Sequence, residues 1–245
     1  MVVKQVKHWL VTRANAARWR PIQEWAEARG AEFTQTRDGQ GFLIEQAKAQ
    51  PGPLRIEWGV SQRSYLPGTE LRMRCEMGLH PDLQMMVLCR ALMENLERAV
   101  FEAYTDTLKT RVDTDTPEEM RWLVMFPKFN NAQLQVVRQR FGLVGVTKEL
   151  TGAWVDGELG EALARASEDL LPEGHPFVLM CMRGNLYLRT EMSEADQPRV
   201  QALVRLLECA AREALRVNGR LSDSGAWPTT TSIAWTPSTR PGDVT

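Results

Sequence analysis

The sequence predicts an α+β protein of two tandem repeats, each an antiparallel sheet covered by a long C-terminal helix, and three observations predict it. A heptapeptide is written twice, as Leu71-Arg72-Met73-Arg74-Cys75-Glu76-Met77 and as Leu186-Tyr187-Leu188-Arg189-Thr190-Glu191-Met192. In both copies alternate residues are apolar or small, the period of a strand with one covered face. A proline follows each copy (Pro81, Pro198), and then a long run with apolar residues three and four apart, the pattern of an amphipathic helix opened by proline.

In chain order, Trp19, Ile22, Trp25 and Ala26 line one side of a helix over 14–29, and Gly30 is placed to cap it. Residues 31–37 and 41–46 read as strands joined through Asp38-Gly39-Gln40, since Asp-Gly favours hairpin turns. Alternation marks further strands over 54–58 and 70–77, and Leu88, Leu92, Leu96, Ala99 and Ala103 mark a helix opened by Pro81. A polar stretch over 105–117 then leads to a short helix that Phe126-Pro127 ends. The second repeat predicts a helix around Leu134, Val137 and Phe141, strands over 143–147 and 152–155, and a helix over 158–171. It continues with strands over 177–182 and 186–192 and a last helix along Leu203, Leu207, Ala210, Ala214 and Val217. Phe177 to Met182 is apolar throughout and predicts burial on both faces within the chain. The divisions are a first repeat over 1–117, a second over 118–218 and a mobile Ser-, Thr- and Pro-containing tail over 219–245.

Thirty basic and 31 acidic side chains nearly cancel, so no overall field draws the chain to nucleic acid or anionic lipid. No apolar leader or span is visible, and the expected location is the cytoplasm. Cys75, Cys89, Cys181 and Cys209 fall in apolar segments without metal or redox spacing and read as buried thiols. His8, His80 and His175 are scattered, and no G-x-S-x-G elbow or phosphate loop is present. His80-Pro81-Asp82 matches the tripeptide of J-domain cochaperones in three residues; here it is expected between a strand and a helix, so Pro81 reads as a helix start. The expectation is no catalytic residue, no metal and no cofactor.

The order helix, strands, helix, two strands, helix in 130–217, with the repeated L-x-[ML]-R-x-E-M strand before the last helix, resembles the type III secretion chaperone-like fold. That resemblance implies a dimeric binder of extended protein segments. The favoured expectation is accordingly a non-enzymatic protein-binding or chaperone-like scaffold with a protein partner, homo-oligomerisation as a further option, and no nucleic acid or membrane. The alternative is a small-molecule-binding protein or enzyme with its site between the repeats, where Trp58, Arg74, Trp154 and Arg189 are the residues to inspect. Trp227 and Trp235 are candidate docking anchors in the tail. Arg74/Glu76 and Arg189/Glu191 are expected on a solvated outer face of the sheet, in ion pairs worth under ~1 kcal/mol each.

Overall fold

The computed structural model describes residues 17–106, 116–130 and 132–224. A helix over 17–28 (α1) precedes strands β1 (Glu32–Gln35), β2 (Phe42–Gln46), β3 (Leu54–Val60), β4 (Thr69–Glu76) and β5 (Met85–Cys89), with helices α2 (Arg90–Asp106) and α3 (Glu118–Met125) after them. The chain continues through β6 (Lys128–Phe129), α4 (Gln135–Arg140), β7 (Phe141–Gly145), α5 (Lys148–Val155) and α6 (Glu158–Asp169), then β8 (Phe177–Met182), β9 (Asn185–Glu191) and α7 (Gln197–Ser224). All nine strands among the described residues join one antiparallel sheet in the order β1-β2-β3-β4-β9-β8-β5-β7-β6. The α+β class is therefore as expected, whereas the strands are not divided into two sheets.

The duplicated heptapeptides meet at the centre of this sheet. β4 and β9 pair with Met73 opposite Leu188, Leu71 opposite Thr190 and Cys75 opposite Leu186, so matched positions exchange across the pair. Beyond them the two sides differ, because β5, which precedes α2 in the chain, lies between β8 and β7. Arg183 and Gly184 turn β8 into β9 with φ of 51° and 78°, the two left-handed positions of a tight hairpin.

Three expected elements are corrected. The helix opened by Pro81 begins instead at Arg90, and Met85 to Cys89, which includes Leu88, is a strand with every residue buried. A continuous apolar run reads equally as a buried strand or a buried helix, and here flanking by β8 and β7 decides for the strand. Residues 152–155 are helical, within α5, because the Thr147 hydroxyl accepts from the Leu150 N–H at 3.3 Å and starts a helix there. Phe141 belongs to β7 and not to α4; the Arg90 guanidinium donates to the carbonyls of Arg138, Gln139 and Phe141, satisfying carbonyls where α4 ends. From α4 onward the second half therefore runs α-β-α-α-β-β-α rather than the order on which the chaperone-like resemblance rested. The last helix continues through Ser224, past the expected start of the tail, and Trp227 and Trp235 lie outside the described residues.

Register and alternation sort the sheet into two faces. On the inner face, Phe42, Ile44, Ile56, Trp58, Leu71, Met73, Leu188, Leu179, Val87 and Leu143 belong to one buried core shared with α1, α5, α6 and α7. Trp19 of α1 packs edge-on against Phe42 and Trp58, which explains the aromatic spacing of that helix. Along the outer face, β8, β5 and β7 contribute Val178, Met180, Met86, Leu88 and Val144, all buried, whereas β2, β3, β4 and β9 contribute Glu45, Arg55, Glu57, Arg72, Arg74 and Arg189. α2 and α3 lie over the apolar part, so the outer face changes from charged to apolar between β9 and β8.

Candidate functional site

The charged part of the outer face is the most distinctive chemistry among the described residues. Period-two alternation puts one outer charge on β2, two on β3 and further charges on β4 and β9, and the antiparallel register sets acid beside base. Arg55 pairs with Glu45 at 2.9 Å and Glu57 at 2.5 Å, and Arg72 pairs with Glu57 at 2.6 Å and Glu70 at 3.0 Å. Arg189 then pairs with Glu70 at 2.9 Å and faces Glu119 of α3 at 3.8 Å, and Glu119 accepts from Arg63 at 3.3 Å. The result is one alternating chain, Glu45-Arg55-Glu57-Arg72-Glu70-Arg189-Glu119-Arg63, running from β2 across the sheet to α3 and the β3–β4 loop.

Burial grades along this chain. The Arg55 side chain is 49% exposed, whereas those of Glu70 and Glu119 are 0% and 1% exposed. Charges so deeply buried persist only when paired, and Glu70 meets that requirement with two arginines and the Gln62 N–H. Burial alone would push the Glu57 carboxyl upward, but hydrogen bonds and charge from Arg55 and Arg72 outweigh it and hold Glu57 below the usual carboxylate range. Glu119 is held at longer range, 3.3 Å from Arg63 and 3.8 Å from Arg189, with the buried Tyr65 hydroxyl beside it. Burial, reinforced by the negative charge of Glu119, pushes Tyr65 well above its ordinary pKa, so the phenol keeps its proton.

Each of these carboxylates is paired with at least one arginine of the same network, which reaches solvent at Glu45 and Arg55 and joins α3 to the sheet at Glu119. Among the described residues no group of three or more His, Cys, Asp and Glu is placed to hold a metal ion, and no helix is long and apolar enough to cross a membrane. Burial raises the thiol pKa of all four cysteines, Cys75 to about 11. An open cleft of about 640 Å³ between α6 and α7 has mixed charges, with Arg165 paired to Glu161 and Arg212 to Glu158.

The residues singled out in the sequence separate. Trp58 and Trp154 are core side chains, 7% and 0% exposed, whose indoles donate to the carbonyls of Met192 and Ala210. Arg74 stays on the wet face, 46% exposed and paired with Glu76 at 3.1 Å. Arg189 departs from the expected solvated pair with Glu191: it is 16% exposed and joins Glu70 and Glu119 instead, because α3 covers its end of the face. The duplicated strand thus holds one arginine in water and the other in a buried cluster. Glu57, Glu70, Arg72, Glu119, Arg63 and Tyr65 were not singled out by the sequence. Their available signal was the succession of opposite charges at outer positions of adjacent strands, which becomes visible only once the register is known. Compared with protein-family models, curated proteins and solved structures, the chain matches no family model, no curated protein and no solved structure.

Proposed function

We propose that the protein acts non-enzymatically as a protein-binding, chaperone-like scaffold, and that the charged outer face of β2, β3 and β4 is its recognition surface. The observation that carries this reading is that the face is laced by its own ion pairs while Glu45, Arg55 and Arg74 on it stay about half exposed. Preorganised charge of this kind selects partners and speeds encounter more than it adds affinity. β1 ends the sheet beside this face with alternately exposed residues, which supports recognition of an extended segment by strand addition. The exchange of matched positions between β4 and β9 supports an origin by duplication, with the two repeats joined through that pair. A protein partner, cytoplasmic location and self-association belong to the same proposal.

The test is an affinity capture from native cells, read by mass spectrometry for proteins and small molecules. Tagged wild type is compared with Arg55→Glu/Arg74→Glu, two changes on the exposed end of the charge pattern. A stoichiometric protein held by the wild type and lost by the double variant is expected. A bound metabolite with no protein partner, or a partner retained equally by both, overturns the assignment of this face.

A further inference from the structure

We propose that the free edge of β1 receives an extended segment of the protein partner, added as a further antiparallel strand with a lysine or arginine opposite Glu32; the inference rests on the protein-binding reading. Of the two strands that end the sheet, β6 offers only Lys128 and Phe129, directly after Pro127, whereas β1 offers Glu32 to Gln35 and no proline. The Thr36 N–H donates to the Gly41 carbonyl at 2.9 Å, and in an antiparallel pair that direction of hydrogen bonding recurs at every second residue. Thr34 and Glu32 therefore turn their backbone groups toward β2, and Phe33 and Gln35 turn theirs outward. The N–H and C=O groups of Phe33 and Gln35 stand in line along this edge and meet no described residue.

The side chains beside the edge define the occupant. Register places Glu32, Glu45, Arg55 and Arg74 in one row across β1 to β4 on the outer face. Glu45 is paired with Arg55 at 2.9 Å and Arg74 with Glu76 at 3.1 Å. Glu32 is exposed, lies opposite the like charge of Glu45, and makes no ion pair among the described residues. Like charges directly opposite one another oppose pairing, and a base in the next place of the row relieves that repulsion. On the inner face Phe33 is half-buried against Phe42, with ring centroids 5.4 Å apart, so an apolar residue suits the place opposite it. The segment that fits alternates polar and apolar residues and carries its base directly after the apolar residue that faces Phe33.

A second copy of this chain does not meet that description. With Phe33 or Gln35 facing Phe33 or Gln35 of the second copy, Glu32 meets Thr34, Thr36 or Asp38 of that copy. None of these is basic, and the last sets acid against acid. A glutamate at a free edge turns away uncharged and acidic strands, which guards against self-pairing, and admits a basic one. The same charge therefore protects the edge and selects its ligand.

NMR titration of the isotope-labelled full chain with the peptide Ser-Thr-Val-Thr-Val-Lys-Ser tests the edge. The peptide is expected to slow solvent exchange of the Phe33 and Gln35 amides and to leave that of Thr34, already bonded to β2, unchanged. A peptide with glutamate in place of the lysine should bind about fivefold more weakly, and Glu32→Lys should reverse the order of the two peptides. Gln35→Pro removes an outward N–H while sparing the β1–β2 ladder, and should abolish binding. Equal binding of both peptides, binding of neither, or protection elsewhere in the chain overturns the proposal. Protection of Phe33 and Gln35 that rises with protein concentration alone also overturns it, by assigning the edge to a second copy. Should Gln35→Pro fail to fold, Glu32→Lys at its exposed position decides. The Arg55→Glu/Arg74→Glu capture leaves Glu32, Phe33 and Gln35 in place, so the edge and the charged face fail separately.

Discussion

On one face of one sheet, β2, β3 and β4 hold charged side chains joined in ion pairs, from half-exposed Arg55 to buried Glu70, while β8, β5 and β7 hold only apolar ones beneath two helices. The difference is not one of strand geometry, since every pairing is antiparallel. It lies in what each strand is asked to face. Strands covered on one side alternate in sequence, and strands covered on both sides are apolar throughout. Only the second copy of the heptapeptide, on β9, borders the seam, which is why the matched arginines have different fates: Arg74 faces solvent, and Arg189 faces Glu119 of the covering helix. A repeated local pattern therefore did not determine a local environment; the neighbouring element did.

The largest way to break this contrast is to place a charge on the covered side. Met180→Glu is expected to destabilise the fold by more than ~4 kcal/mol, because it buries a carboxylate without a partner; urea denaturation would show it, and a loss under ~1 kcal/mol would mean that this part of the outer face is wet. Next comes the seam. Glu70→Gln leaves Arg72 and Arg189 without their shared carboxylate and is expected to cost ~3–5 kcal/mol, measured in the same way.

A smaller effect concerns pH. Burial, followed by the nearby charge of Arg199, lowers the His175 pKa below its ordinary 6.5, and the ring lies 3.0 Å from the Glu191 carbonyl, to which a neutral Nε2–H donates. The unfolded chain then binds the proton more readily than the folded one, so stability falls as the pH drops from about 6.5 through the lower folded value. His175→Gln should flatten that part of the stability profile, and an unchanged slope would remove His175 from the account. Smallest of all, Arg55→Ala on the exposed end of the charge pattern should cost under ~1 kcal/mol, and a larger loss would show the wet face to be structurally obligatory.

Much of the architecture was legible in the sequence. Alternation located β3, β4 and β9, and the apolar run 177–182 announced a strand buried on both faces. The same reasoning failed at Met85 to Cys89, where Leu88, Leu92 and Leu96 joined a strand and a helix into one helical stripe, and only the pairing with β7 and β8 separates them. At 152–155 the apolar spacing was too short to outweigh the helix start at Thr147. The candidate site was less legible for a physical reason. Glu70 and Glu119 look like ordinary surface acids until tertiary contacts from Arg63, Arg72 and Arg189 close around them, and no spacing along the chain encodes that meeting. Trp58 and Trp154 were conspicuous by type alone, and their indoles serve the core.

Thiol accessibility on the native protein tests the division of the outer face most directly. The four natural cysteines are buried, so single cysteines placed at Arg74 and Thr34, and at Met180 and Leu88, report their own surroundings to a water-soluble maleimide. The account predicts that Arg74→Cys and Thr34→Cys react at the rate of an exposed thiol, while Met180→Cys and Leu88→Cys react at least a hundredfold more slowly and reach the exposed rate only in denaturant. Equal rates at all four positions would contradict it.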